Sequence, residues 1–324
     1  MATGDRTLSL KDLELDPAEA VEGIVAGLRE AVHGTLRKRG AVLGLSGGVD
    51  SSVCAALCAR AFGPERVLGV LMPEADSAPE TIALSRLAAE STGISTALEE
   101  ITPILDAVGC YRRRDDAFRR VIPEYGPGWK AKIVLPSVLG ADRFRLFSVV
   151  ARSPEGEEVT ARLTAEAYRE VVAATNFKQR TRKMLEYHHA DRLDYAVIGT
   201  PNLLEYDQGF FVRNGDGAAD VKPIAHLYKT QVYQLGAYLG VPEEIRSRPP
   251  TTDTYSLPQS QDEFYFALPY EGMDLCLYAR NEGIPASALA DALGLSVDDV
   301  ERIFKDIDAK RRVASILLAP TIVL

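Results

Sequence analysis

The chain has little cysteine: four in 324 residues, at positions 54, 58, 110 and 276, with no Cys-x-x-Cys pair and no Cys/His cluster at zinc spacing. That excludes a disulfide scaffold and a structural metal site, and it suits a reducing compartment. No stretch approaches the roughly 20 consecutive apolar residues of a membrane-spanning helix. Residues Met1 to Asp16 are polar and acidic, without the layout of a secretion signal. A soluble, cytoplasmic protein is expected. Positive charge is also short, since 37 Lys+Arg against 46 Asp+Glu leave a net charge of −9, so no global field draws the chain to nucleic acid or to an anionic membrane. There is no internal repeat and no low-complexity tract. What is there is 46% apolar residues, enough for one large domain or two ordinary ones, each of roughly 150 residues.

Val21, Ile24, Val25, Leu28, Val32 and Leu36 recur at helical spacing behind Asp16-Pro17, which predicts an amphipathic helix over Asp16–Lys38. Ala41–Leu45, then Ser46-Gly47-Gly48-Val49-Asp50-Ser51-Ser52, then an apolar-rich stretch to Phe62 read as strand, glycine turn and helix. Arg66–Met72, Ala78–Thr92 and Ile94–Ile101 repeat strand, helix and strand. This alternation predicts an α/β protein with a doubly wound parallel sheet of about five strands. The rhythm breaks at Cys110. From there to about Leu163 lie Arg112-Arg113-Arg114, the turn-prone Tyr125-Gly126-Pro127-Gly128, and two β-like runs, Arg143–Arg152 and Glu157–Leu163, which predict a hairpin. Roughly 50 residues exceed an ordinary connection, so 110–163 reads as an insertion or lid within a single domain spanning 1–324. A helix over Ala165–His189, a strand over Leu193–Gly199, a helix over Lys229–Leu239 and C-terminal helices complete the pattern.

The densest chemical signal is Ser46–Ser52. Adjacent glycines let backbone N–H groups close around phosphate oxygens, hydroxyls add donors, and the helix that follows offers its positive dipole end. Asp50 alone would repel a phosphate, so its presence points to a divalent cation between them. A two-glycine turn in general is more often just a capped turn. The full string, after an apolar run and before a helix, favours a phosphate cradle.

This loop resembles the SGGxDS loop of the ATP-pyrophosphatases, which include GMP synthetase, asparagine synthetase, argininosuccinate synthetase, tRNA thiolases and NAD synthetase. Further along, Gly199-Thr200-Pro201-Asn202-Leu203-Leu204-Glu205, Gly209-Phe210-Phe211, Gly215-Asp216-Gly217-Ala218-Ala219-Asp220, Pro223-Ile224 and Leu227-Tyr228-Lys229-Thr230-Gln231-Val232 look like NAD synthetase in order. Asn176–Arg182 is similar to that family's N-x-x-x-R-x-R segment, and Pro249-Pro250-Thr251-Thr252-Asp253 to its P-[ST]-A-D element. The resemblance implies an adenine nucleotide α-hydrolase-like fold and ATP-dependent amidation of the deamido-NAD carboxylate by ammonia, through an acyl-adenylate. It implies that Asp50 and Glu205 hold Mg²⁺, and that Ser46, Gly47, Gly48, Asp50, Ser51, Ser52, Thr200, Lys229 and Thr251 contact ATP, with adenine at the Met72 backbone. Arg180, Tyr187, Phe210, Arg213, Asp220 and Lys310 would surround deamido-NAD, and Asp216 would position ammonia. Asp50, Lys229 and Asp216 would then be the catalytic residues. A lysine and Mg²⁺ suit an α-phosphate that gains charge under carboxylate attack. The family also implies a homodimer whose acceptor site straddles the interface. Only Met1–Leu45 precedes Ser46, so no glutaminase or nitrilase domain is expected there, and ammonia would arrive free or from a separate glutaminase.

The departures from the family concern the acceptor rather than ATP. Val172, with Ala173 and Ala174, stands where the family carries an aromatic ring, and Ala309-Lys310 where it carries His-Lys. Arg312-Val313-Ala314-Ser315 lacks the usual proline, and Tyr265, within Asp262–Ala267, replaces an acidic residue. Two alternatives stay open: the same chemistry on another small carboxylate, and a non-catalytic nucleotide-binding protein, which predicts loss of Asp50, Glu205 or Lys229. If deamido-NAD is the acceptor, the insertion must replace the missing contacts, with Trp129 and Arg112-Arg113-Arg114 as candidates.

Overall fold

Helix α1 (Pro17–Arg29) opens as predicted, for the Asp16 carboxylate accepts the Ala18 and Glu19 N–H groups at 2.8 and 3.1 Å and Pro17 takes the first helical position. The computed structural model describes residues 8–136, 138–139, 146–251, 254–260, 264–266 and 268–324. After a π turn over Glu30–Thr35 come β1 (Ala41–Gly44), α2 (Val49–Phe62), β2 (Val67–Leu71), α3 (Thr81–Thr92), β3 (Ser95–Leu98), α4 (Thr102–Ala107) and α5 (Cys110–Arg119). Strands β4 (Lys130–Val134), β5 (Ser148–Arg152) and β6 (Glu158–Arg162) precede the long α6 (Ala165–Leu193). Then follow β7 (Ala196–Val197), α7 (Leu203–Gln208), α8 (Lys229–Tyr238), α9 (Glu243–Arg246) and C-terminal helices Tyr270–Asn281, Ala286–Leu293 and Val297–Leu317.

The first sheet is parallel, in the order β3-β2-β1-β7, and a single parallel bridge from Ile198 to Val221 adds a fifth position. The strand expected over Leu193–Gly199 is shortened because α6 runs on to Leu193 and ends at Asp194, which adopts the left-handed conformation (φ 57°). Side chains alternate across the sheet, as strand geometry requires. Ala41, Leu43, Ala196 and Ile198 pack toward α1, α2 and α8, whereas Val42, Leu68, Val70 and Val197 pack toward α4, α5 and α6. All four cysteines are free and buried. Among the described residues no helix is long and apolar enough to cross a membrane.

Strands β4, β5 and β6 form a second, antiparallel sheet with its own apolar cluster, in which Ile133, Val149 and Ala151 pack on Phe118 and Val171. The predicted hairpin is β5–β6, while β4 is a third strand beyond the sequence reading; residues 143–145 of the expected run lie outside the described residues. Helix α5, which begins where the rhythm was read to break, packs on α6 and buries Cys110 against the Ala174 carbonyl (3.2 Å).

Candidate active site

The strand order reverses at β1, and crevices for ligands form at the carboxyl ends of strands beside such a point. A cavity of about 470 Å³ opens there, at the ends of β1, β2 and β7. The glycine loop forms one rim. Gly47 has φ +74°, and a Cβ there would sit 2.7 Å from the Leu84 Cβ of α3, so only glycine fits. Ser51 Oγ and Ser52 Oγ donate to the Gly48 carbonyl at 3.1 and 2.9 Å, which braces the loop from within. Ser46, Gly48, Asp50 and Ser51 line the cavity; Gly47 and Ser52 shape the loop behind them. Among the described residues no side chain caps α2, so its first-turn N–H groups have no side-chain partner at that end.

Three charged residues meet at this rim, each from the start of a helix. Lys229, only 2% exposed, pairs through Nζ with Asp50 Oδ2, and Asn202 Nδ2 donates to Asp50 Oδ1 at 3.2 Å. Asn202 in turn caps α7: its Oδ1 accepts the Glu205 N–H and the Glu205 carboxylate accepts the Asn202 N–H, both at 3.3 Å. Burial works against the Lys229 ammonium, but the Asp50 and Glu205 carboxylates outweigh it and hold its pKa above the usual lysine range. The start of α8 is fixed by Asp274, whose carboxylate accepts the Lys229 and Thr230 N–H groups at 3.2 and 2.7 Å. Burial pushes the Asp274 pKa up to about 6. Sequence reasoning gave Asn202 no role, although the N-x-x-E spacing of a capping box could have found it. Asp274 carries no such signal.

Met72, Thr200 and Thr251 also line the cavity, and the Met72 carbonyl accepts from Arg182 Nε at 3.4 Å. Mid-cavity, Lys183 pairs with Glu186 at 2.5 Å, and Asp216 Oδ1 accepts the Val212 N–H at 2.8 Å. Burial raises the pKa of both the Glu186 and Asp216 carboxyls. The far end is aromatic. Phe147 and Tyr168 stack with centroids 4.3 Å apart beside Val172, and Phe210 stacks on Tyr265 at 4.7 Å.

Five predicted acceptor contacts do not line the cavity. Arg180 Nε donates to the Arg213 carbonyl at 3.3 Å and Tyr187 Oη to Asp220 Oδ1 at 3.2 Å, both at the surface. Lys310 lies behind the aromatic wall, donating to the Tyr265 carbonyl at 2.6 Å. The candidates for replacing the missing ring also lie elsewhere: Trp129 packs 5.7 Å from Tyr125, Arg112 is exposed, and Arg114 is buried in a pair with Asp76. None of Trp129, Arg112, Arg113 and Arg114 lines the cavity, whereas Phe147 and Tyr168 do. Thr252, Asp253, Asp262, Glu263 and Ala267 lie outside the described residues.

The family model described as NAD synthase matches residues 20–119 and 154–313. The chain belongs to the NAD synthase family. It is 58% identical to the NH(3)-dependent NAD(+) synthetase of Mesorhizobium japonicum, over 95% of this chain and 96% of the relative. Its fold is similar to that of an NMN synthetase from Francisella tularensis (TM-score 0.65, 20% identity, 96% of this chain and 99% of the other). It is similar too to an NH3-dependent NAD synthetase from Campylobacter jejuni (TM-score 0.63, 20% identity, 96% and 100%). The part that the NAD synthase family model leaves unmatched, 120–153, contains β4, β5 and Phe147.

Proposed function

We propose that this NAD synthase family member is a carbon–nitrogen ligase that uses ATP to adenylate the carboxylate of deamido-NAD and ammonia to displace AMP. The observation that carries the reading is the network of Asp50, Asn202, Glu205 and Lys229 at the mouth of the glycine loop. The Lys229 ammonium, kept charged by its neighbours, offsets charge that develops on the α-phosphate as the carboxylate attacks. Asp50 and Glu205 would hold Mg²⁺, since two hard carboxylates beside a phosphate cradle suit that ion. When bound there it would neutralise the departing pyrophosphate.

At the aromatic end, Phe147 and Tyr168 supply the ring platform that Val172 does not, and the pyridine ring of the acceptor stacks there. Asp216, with its raised pKa, holds the incoming ammonia and takes its proton. The relative's name supports free ammonia as the nitrogen source. Arg180, Tyr187, Arg213 and Asp220 lie on the surface, outside the cavity, so their contact with an acceptor is best supported in a homodimer whose acceptor site spans two copies. Sedimentation velocity on the purified chain checks that point. The reaction itself is tested by incubating the protein with ATP, Mg²⁺, ammonium and deamido-NAD: AMP, pyrophosphate and NAD should appear in equal amounts. ADP and phosphate, or no turnover, would overturn the reading.

A further inference from the structure

Strand β4 is an edge strand of the second sheet, and its outer edge is occupied by a segment that lies far along the chain. Leu257 N–H donates to the Ala131 carbonyl at 3.2 Å, the Ala131 N–H donates to Ser256 Oγ at 2.9 Å, and Gln259 Nε2 donates to the Ile133 carbonyl at 2.5 Å. Tyr255, Leu257 and Gln259 are all buried, at 4%, 3% and 2% exposure. The segment is joined to the cavity at both ends. Ser260 forms an antiparallel bridge with Thr251, and the Thr254 carbonyl accepts from Lys178 Nζ at 2.9 Å. Lys178 also pairs with Glu74 and Asp76, which follow the Met72 strand end. Thr251, Thr254, Tyr255 and Lys178 line the cavity.

We infer that the inserted sheet is a positioning element for the ATP site: through Ser256 and Gln259, β4 holds the 254–260 segment, and with it Thr251 and Thr254, in its cavity-lining place before substrate binds. A loop that must be ordered by its ligand reduces the apparent affinity by the fraction of time it is out of place. A loop held in place by an edge strand avoids that loss, and the backbone groups of β4 are satisfied by the same contacts. Ser256 and Gln259 are positioning residues here, not catalytic ones. The inference rests on the reading of this cavity as an ATP site.

The test is hydrogen exchange with mass spectrometry on the full chain, together with calorimetric titration of ATP–Mg²⁺, for wild type and for the Ser256→Ala/Gln259→Ala variant. In the wild type without ligand, the Leu257 amide should be protected. The two hydrogen bonds are worth about thirtyfold in the opening equilibrium of the segment, so the Leu257 amide of the variant should be close to unprotected, while β1 and β2 amides stay within about twofold. ATP should bind the variant about fivefold more weakly, and saturating ATP should restore the protection. An unprotected Leu257 in the wild type overturns the inference. So does lost protection with unchanged ATP affinity, and so does a general loss that includes β1 and β2, because the contacts would then be merely structural. Failure of the wild type to bind ATP at all, with Leu257 protected, would instead sink the ATP-site reading.

Discussion

The phosphate end of the cavity and its aromatic end lie in one cleft but are placed by different means. Asp50, Glu205 and Lys229 sit in the first turns of α2, α7 and α8, whose positions follow from short motifs, and their side chains are then held by polar partners such as Asn202 and Asp274. Phe147, Tyr168 and Phe264 have no such fixing, and they meet because the antiparallel sheet packs on α5 and α6. The charges sit at helix starts set by short motifs and are tied by directed polar contacts; the rings are placed by apolar packing alone. The phosphate end should therefore respond sharply to single charge changes, and the aromatic end should respond by graded losses of contact.

The sharpest way to break the contrast is at the phosphate end. Asp50→Asn and Glu205→Gln should each lower kcat by about 10²-fold or more, the scale for loss of one electrostatic stabiliser, with an unchanged circular dichroism spectrum. Near-wild-type rates would remove the metal-ligand assignment. Next comes Asp274. Its folded pKa of about 6 exceeds its ordinary 3.8, so between those values the folded chain binds more protons than the unfolded one. Its contribution to stability therefore falls as pH rises through that window and is flat above it. Asp274→Asn removes this slope. Relative to wild type, the variant's unfolding free energy in urea should shift in its favour by on the order of 2–3 kcal/mol from pH 4 to pH 7. A pH-independent difference would show that Asp274 does not titrate there.

Smaller effects are expected at the aromatic end. Phe147→Ala should lower kcat/KM for deamido-NAD about tenfold, in keeping with one ring contact, and leave the KM for ATP unchanged; steady-state kinetics with each substrate varied in turn would separate the two. An equal loss for both substrates would mean that the ring supports the fold rather than the acceptor. The smallest effect belongs to Arg112→Ala, an exposed residue whose pair with Asp116 spans 3.6 Å at the surface. Stability should change by less than about 0.5 kcal/mol, and acceptor kinetics should not move.

The same contrast explains what could be read from the sequence. The strand–glycine turn–helix unit, the Asp16-Pro17 helix start and the β5–β6 hairpin follow from short-range pattern, and all three stand in the structure. That Asp50, Glu205 and Lys229 would come together was legible because their motifs are contiguous, and all three line the cavity. Phe147 was not, because nothing near it in the chain marks a ring that will stack on Tyr168, and Trp129, the more conspicuous aromatic, packs against Tyr125 instead. Strand β4 was missed for a related reason. Its alternation over five residues is short, and its pairing with 256–259 comes from contacts some 125 residues apart. Val172 marked a gap in the family pattern, and the Phe147–Tyr168 stack beside it in the cavity could be seen only in the packing.

Asp274 lies 45 residues beyond the lysine whose helix it anchors. During synthesis the glycine loop and Lys229 leave the ribosome well before the carboxylate that receives the first N–H groups of α8. A nascent chain can thus shape its glycine loop early, yet it cannot finish fixing Lys229 until the helix Tyr270–Asn281 has emerged and docked. The final placement of that charge is deferred to a late step of translation, so that a truncated chain ending before this helix would carry the loop without a settled Lys229.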